Sequence, residues 1–216
     1  MVKKIYYFLH SKFSRSRERG EYSAGYWQHR VRQTVLDMTQ NIKGSLLEAG
    51  CGEGLFLEAL AGCNPEVSLY GIDIWDEILQ RAARRCGPSV NLRVADAAAL
   101  PYEDNSFDAA VCMNVLFNLP TEQMCYKALD EMARVVRKNG KIIVDIRNAA
   151  NPLLFFKYRF APLYDETVRN LPLRTYHLKS LLAYMDRIGI ETDNVVPVGM
   201  GGVMLAPLLV VEGHKR

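Results

Sequence analysis

The sequence predicts an α/β protein: a doubly wound, mainly parallel seven-stranded sheet closed by an antiparallel C-terminal hairpin. Three observations carry this. Strand-like and helix-like segments alternate from residue 44 to residue 147, an order that demands a parallel sheet with helices on both faces. The last two strand-like runs are joined by a link too short for a crossover helix, so they must be antiparallel. The first three strands each end on an acid or a glycine, where ligands bind in open parallel sheets.

Each element follows from its local pattern. Residues 21–41 place Tyr26, Trp27, Val31, Val35, Leu36 and Met38 at three-to-four spacing, which predicts an amphipathic helix. Gly44 breaks it. Residues 45–49 form a short apolar strand running into Gly50-Cys51-Gly52-Glu53-Gly54, and residues 55–61 form a helix. Residues 67–72 alternate as a strand ending at Asp73. A helix over 75–86 stops at the breaker pair Gly87-Pro88, and a strand over 90–95 closes on Asp96. Residues 107–113 are continuously apolar after Asp108 and form a fourth strand. Thr121 caps a long helix expected to reach Lys138, with Arg134, Arg137 and Lys138 complementing its dipole, and Asn139-Gly140 ends it. Residues 141–146 are the fifth strand and 177–188 the last amphipathic helix. Residues 195–198 and 208–211 are the closing strands, with the loop Gly199–Gly202 after the first.

Composition narrows the class. The chain has 216 residues, 49% of them apolar and 24% charged, with a formal net charge of +3. Such values belong to a globular domain with a full core. The small charge argues against a nucleic-acid partner. Cys51, Cys63, Cys86, Cys112 and Cys125 form no CxxC pair, so neither a disulfide framework nor a metal site is expected. Residues 1–20 carry six Lys/Arg and one Glu. Their apolar run, residues 5–9, is too short for a membrane span or a signal-peptide core, so a cytoplasmic location is expected. This basic segment is read as a contact for an anionic membrane surface, as a frayed leader, or as a helix covering the mouth of the site.

The chemistry concentrates at the strand ends. Glycines at 50, 52 and 54 let a ligand approach the backbone, though a tight strand-to-helix turn would use them too. Asp73 follows Gly54 by nineteen residues, the spacing of an acid that accepts from both ribose hydroxyls; it could equally cap the helix before Trp75. A dinucleotide fingerprint needs a sixth-position glycine, and Leu55 stands there. Glu53 disfavours a phosphate at the helix N-terminus. A nucleoside cofactor with a positive charge and no phosphate fits best.

Residues 46–54, Leu-Leu-Glu-Ala-Gly-Cys-Gly-Glu-Gly, resemble motif I of the class I S-adenosylmethionine-dependent methyltransferases, in the type 11 small-molecule subgroup. Residues 94–102 with Phe107-Asp108, and residues 131–140, resemble later signatures of that family. The resemblance implies a Rossmann-like methyltransferase fold and S-adenosylmethionine as cofactor, with S-adenosylhomocysteine as product. It implies that Glu48 meets the methionine amino group and that Gly50, Cys51 and Gly52 bring backbone to the methionine and sulfonium. Asp73 would hold the ribose, Ile74 the adenine face, and Asp96 with Ala97 the adenine edge. Asn114 and Val115 would lie beneath the methyl group. Tyr22, Tyr26 or Arg30 would reach the cofactor carboxylate. Phe117-Asn118 replaces the His pair common in the family, so no general base is identified there.

A single methyltransferase domain over 1–216 is expected: a helical cap over 1–43, a cofactor core over 44–147, an acceptor-side insertion over 148–176, and a closing helix and hairpin over 177–216. The insertion is rich in aromatics, which suits a small, apolar or ring-bearing acceptor methylated on oxygen or carbon. Lys157, Arg159, Arg169 and Arg174 are available for an anionic group, and His10, His29, His177 and His214 are the candidate bases. Two rival readings are a cofactor-binding protein without catalysis, acting as a sensor or partner subunit, and a nicotinamide-dinucleotide oxidoreductase.

Overall fold

The structure, a computed structural model, describes residues 26–154, 156, 158, 160 and 173–216. The expectations for residues 1–20, Tyr22, His10, Lys157, Arg159 and Arg169 lie outside them.

In chain order the elements are α1 (Tyr26–Thr39), β1 (Ser45–Ala49), α2 (Leu55–Cys63), β2 (Ser68–Asp73), α3 (Asp76–Cys86), β3 (Val90–Val94), β4 (Phe107–Cys112) and α4 (Glu122–Val135). There follow β5 (Val136–Arg147), α5 (Leu178–Arg187), β6 (Ile190–Val198), α6 (Gly202–Leu205) and β7 (Leu208–Lys215). The seven strands form one sheet in the order β3-β2-β1-β4-β5-β7-β6. Pairings from β3 to β5 are parallel; β7 pairs antiparallel with both β5 and β6. The chain reverses its winding between β1 and β4, which opens a crevice at their carboxyl ends.

Side-chain alternation divides the core between the two faces. Leu47, Ala110, Cys112, Ile142, Val144 and Val211 pack with Cys125, Leu129 and Met132 of α4 and with Leu181 and Met185 of α5. Leu46, Ala109, Val111, Ile143 and Val210 pack with Val31 and Val35 of α1 and with Phe56 and Leu60 of α2. The period of two then places Glu48, Asp145 and Arg147 on the α1 side of the sheet.

Two element ends differ from expectation. The long helix stops at Val135 rather than Lys138, and the fifth strand starts at once. Arg137 donates to the Asp108 carboxylate at 2.7 Å and to the carbonyls of Asn105 and Ser106, which holds this segment beside the start of β4. The extra residues are absorbed by a register shift between Phe107 and Ala109, with Asn139 at φ 62°. The closing strands run longer than their apolar stretches, and the loop after β6 contains the short α6. Edge strand β6 carries Glu191, Asp193 and Pro197, which interrupt the apolar signal and also discourage edge-to-edge pairing.

Arg134 does more than complement a helix dipole. Its guanidinium donates to the carbonyls of Leu100 (3.0 Å) and Tyr102 (2.7 Å) and to the carboxylates of Glu131 (2.7 Å) and Asp104 (2.9 Å). Glu131 accepts in turn from the Leu100 amide at 2.7 Å. The clamp fixes the loop that follows Asp96. Arg134→Ala is expected to lower unfolding stability by about 1–3 kcal/mol, the worth of lost charge-assisted hydrogen bonds, read by urea denaturation.

Candidate functional site

The glycine turn leaves β1 at the winding reversal. Gly50 and Cys51 both donate their amides to the Ile72 carbonyl at 2.8 Å, locking the turn onto the end of β2. Gly50 sits at φ 84°, and a Cβ there would lie 2.2 Å from Cγ2 of Val115, the residue packed over it from beyond β4. Gly52, at φ 51°, donates its amide to Oδ2 of Asp73 at 2.9 Å. Asp73 Oδ1 accepts from the Trp75 amide at 3.1 Å. The residue at the helix-cap position is therefore Trp75, with Asp73 bracing both the turn and the approach to α3. A carboxylate offers about four lone-pair sites, so both oxygens keep capacity for further donors.

Glu48 is buried at the end of β1, with 4% of its surface exposed. Its Oε2 is enclosed without a hydrogen-bond partner. Burial pushes its carboxyl well above the ordinary range; Arg32, also buried, opposes that shift and Asp73 adds to it. Asp96 closes a tight turn, accepting from the Ala98 amide at 2.8 Å. Ala97 beside it is buried. The Ala95 amide donates to the Asp73 carbonyl, which draws the ends of β2 and β3 together. Ile74 is 61% exposed and offers an apolar surface next to them. Cys51 is buried and its thiol is pushed far up by burial, which leaves no thiolate for nucleophilic chemistry.

Across the crevice, Asn114 takes φ 58° just past β4. Its amide donates to the buried carboxylate of Asp145, and its Oδ1 accepts from Arg147 at 3.0 Å. Arg147 completes the triangle with a 2.9 Å bond to Asp145, its guanidinium lying 4.1 Å from the centroid of the Phe117 ring. Burial raises the Asp145 carboxyl, while Arg147 and the Asn114 amide counter the rise. Asn118 donates to the Asn114 carbonyl, and its own Oδ1 is enclosed without a partner.

The fold thus gathers Glu48, Gly50, Cys51, Gly52, Asp73, Ile74, Asp96, Ala97, Asn114 and Val115 along one edge of the sheet. Others stand apart. Arg174 donates to the carbonyls of Leu119 and Pro120, which pins its own segment. His214 pairs with Asp193 at 2.8 Å, and its register partner Lys141 opens the main run of β5, at the opposite sheet edge. His177 and Arg30 are exposed, and Tyr26 packs edge-on to Trp27. Arg32, Asp145 and Arg147 escaped the sequence reading, which named Asn118 only as standing where the family has a His pair. Asp145 and Arg147 were within reach of the same strand-end argument, because they close β5 as Asp73 closes β2. Arg32 gave no local signal, since its place depends on how α1 lies across the sheet.

Residues 47–144 match the family model described as a methyltransferase domain. Over 101 residues the chain is 35% identical to the tRNA (carboxymethyluridine(34)-5-O)-methyltransferase of Arabidopsis thaliana, covering 47% of this chain and 23% of that protein. Over 106 residues it is 34% identical to a phosphatidylethanolamine N-methyltransferase of Cereibacter sphaeroides, covering 47% and 49%. The chain therefore spans from about a quarter to about half of these relatives. Among solved structures, a SAM-dependent methyltransferase from Thermotoga maritima matches at TM-score 0.69 and 20% identity, covering 100% of this chain and 95% of the other. Magnesium protoporphyrin IX methyltransferase from Synechocystis PCC 6803 with bound SAH also matches at TM-score 0.69, at 16% identity and with 100% and 98% covered. At those identities the likeness is one of fold. The exclusion of nucleic acid on net charge does not stand, because several relatives are named as tRNA methyltransferases. Net charge averages over the whole surface and is blind to a local binding face. Among the described residues no helix is long and apolar enough to cross a membrane.

Proposed function

We propose that the chain, whose residues 47–144 match the methyltransferase-domain family model, is a class I, type 11 S-adenosylmethionine-dependent methyltransferase that transfers a methyl group from this cofactor to an acceptor by in-line displacement. The single observation carrying the proposal is the enclosed, unpartnered Oε2 of Glu48 beside the glycine turn, where Gly50 and Gly52 take positive φ. A buried acceptor atom without a donor is costly, and a ligand ammonium group relieves it. The residues fit the cofactor: Glu48 for the amino group, the Gly50–Gly52 backbone for the methionine chain, Asp73 for the ribose diol, and Ile74, Asp96 and Ala97 for the adenine.

When bound, the sulfonium supplies an activated methyl group. The chain's own residues bind, orient and exclude water. Gly52 and Trp75 hold the Asp73 carboxylate in place before the ligand arrives. Asp145 holds the Asn114 backbone amide, and Arg147 its side chain, at the crevice floor. Such alignment is worth roughly 7–11 kcal/mol of the barrier. The enclosed Asn118 Oδ1 is ready to accept from an N–H or O–H of the acceptor.

The exposed apolar side chains of Leu153, Phe156 and Phe160 support an apolar or ring-bearing acceptor, methylated on oxygen or carbon. A tRNA acceptor is the second reading, favoured by the names of several relatives. The test is transfer of labelled methyl from S-adenosylmethionine to a panel of phenolic, quinone-like and lipid acceptors and to bulk tRNA. Labelling of tRNA alone would discard the apolar reading. Cofactor binding without transfer to any member would favour a sensor or partner subunit, and preferential binding of NADH would overturn the assignment.

Glu48 gives a pH signature. Its folded-state pKa is raised, so stability from its neutral form is present at low pH and lost as pH rises through that pKa. An ammonium ligand favours the carboxylate and lowers the pKa again. S-adenosylhomocysteine is therefore expected to bind more tightly as pH rises through the Glu48 titration and to release up to about one proton per site. Calorimetry in two buffers of different ionisation enthalpy reads the release, which should vanish in Glu48→Gln.

A further inference from the structure

Beyond β4 the crevice floor carries a polar network in which one acceptor is left unmet. Asn118 closes the short helical turn Leu116–Asn118. Its backbone amide donates to the Val115 carbonyl at 2.8 Å, and the Arg174 amide donates to the Phe117 carbonyl at 2.9 Å. The Arg174 side chain adds a 3.1 Å bond to the Leu119 carbonyl. The turn is pinned within itself and from the 173–176 segment, so Asn118 stands on a fixed backbone.

Around it the oxygens have donors. Asp145 accepts from the Asn114 amide through one oxygen and from Arg147 through the other. Asn114 accepts from Arg147 at its Oδ1 and from Asn118 Nδ2 at its carbonyl, the latter at 3.3 Å. The Tyr158 hydroxyl is hydrogen-bonded to Arg147. Within this network of described residues, Asn118 Oδ1 is the oxygen enclosed without a partner. Turning the amide over offers no relief, because it would set Oδ1 against the Asn114 carbonyl oxygen.

An unmet buried acceptor is costly, and native proteins rarely keep one without a reason. Its place in the crevice suggests the reason. Val115 packs over Gly50 at the glycine turn, and Asn118 stands one turn further along the same segment. The oxygen therefore lies beside the methyl position proposed at Asn114 and Val115, on the side left for the acceptor. The residue is partly exposed and its 3.3 Å bond is long, so a modest rotation brings Oδ1 to an entering donor. An amide oxygen accepts a hydrogen bond but is too weak a base to take the proton. Asn118 is suited to reading the acceptor, not to activating it.

We propose that Asn118 is a specificity residue: it selects ring acceptors that carry an O–H or N–H close to the methylated atom, by accepting from that group at Oδ1. Asn118 acts in this way only if the acceptor is the ring-bearing one proposed above. A site built to hold a polar hydrogen rejects the analogue lacking it, because the protein atom is then left unpaired.

The test is NMR titration of the full chain with phenol, aniline and toluene, with and without saturating S-adenosylhomocysteine. The three rings are close in size, and toluene alone lacks a polar hydrogen. Comparing the phenol-to-toluene and aniline-to-toluene affinity ratios between wild type and Asn118→Leu cancels their difference in hydrophobicity. At least one ratio is expected to fall about tenfold or more in Asn118→Leu, the loss of one hydrogen bond to a buried acceptor. A fall for phenol assigns the selected donor as O–H, and a fall for aniline as N–H. Asn118→Asp keeps an oxygen in place and should hold that ratio within about threefold of wild type. Urea denaturation checks folding, and Asn118→Ala takes the place of the leucine variant if leucine does not fit. Three results would overturn the proposal. One is that wild type binds neither phenol nor aniline. Another is that both ratios are unchanged in Asn118→Leu. The third is an equal fall in Asn118→Asp, which would mean that any change at 118 acts through the turn. Failure of S-adenosylhomocysteine to bind would sink the cofactor reading, while the ratios measured without it still decide the role of Asn118.

Discussion

Asp73→Ala should weaken S-adenosylhomocysteine binding by about 100-fold or more. The carboxylate is proposed to accept from both ribose hydroxyls, and each charge-assisted bond is worth about 1.5–3 kcal/mol. The lower end of that range, taken twice, gives the hundredfold. Loss of Asp73 also frees the Gly52 amide, which it holds at 2.9 Å, so the turn itself relaxes. Asp73→Asn separates the two effects. It keeps a carbonyl oxygen for one bond and removes the charge, and it should fall between wild type and the alanine variant. Calorimetric titration reads both, with NADH as the contrasting ligand. Affinity unchanged in Asp73→Ala would mean that this carboxylate only braces the turn.

Asp145→Ala should be the most destabilising single change, at about 3–5 kcal/mol by urea denaturation, because it strands a buried guanidinium. Arg147 has 6% of its side chain exposed and Asp145 none, so no water replaces the lost partner. The pair does not thereby contribute 3–5 kcal/mol to the native state. Replacing both partners with apolar residues removes the penalty along with the interaction, so Asp145→Leu/Arg147→Met should recover most of the stability. It should not recover S-adenosylhomocysteine affinity. Asn114 holds φ 58° with its amide on Asp145 and its side chain on Arg147, and a non-glycine residue keeps that conformation only when its surroundings impose it. A double variant that regained stability and full affinity would make the triangle purely structural.

Much of this protein was legible in one dimension. The alternation of strand and helix, the breakers at Gly44 and Gly87-Pro88, and the short link before the last strand are local signals, and the sheet carries all seven strands as expected. The glycine turn and the acids at 48, 73 and 96 were legible for the same reason: each marks a strand end, and strand ends follow from hydrophobic period. The end of the long helix was not. Asn139-Gly140 reads as its stop, but the chain leaves the helix at Val135 because Arg137 is held by Asp108 and two carbonyls about thirty residues earlier.

By itself the sequence determined which residues are chemically able to serve and on which strand end each stands, since both are properties of short segments. Only the tertiary structure decided which of them meet. The winding reversal between β1 and β4 presses Val115 over Gly50, and burial under α1 turns Glu48 from a surface carboxylate into an enclosed one with an unpartnered oxygen. Arg147 becomes a brace for Asn114, and Asn118 keeps an enclosed oxygen without a partner. These outcomes depend on contacts between residues far apart in the chain, and on the low dielectric that burial creates. No window of sequence contains either.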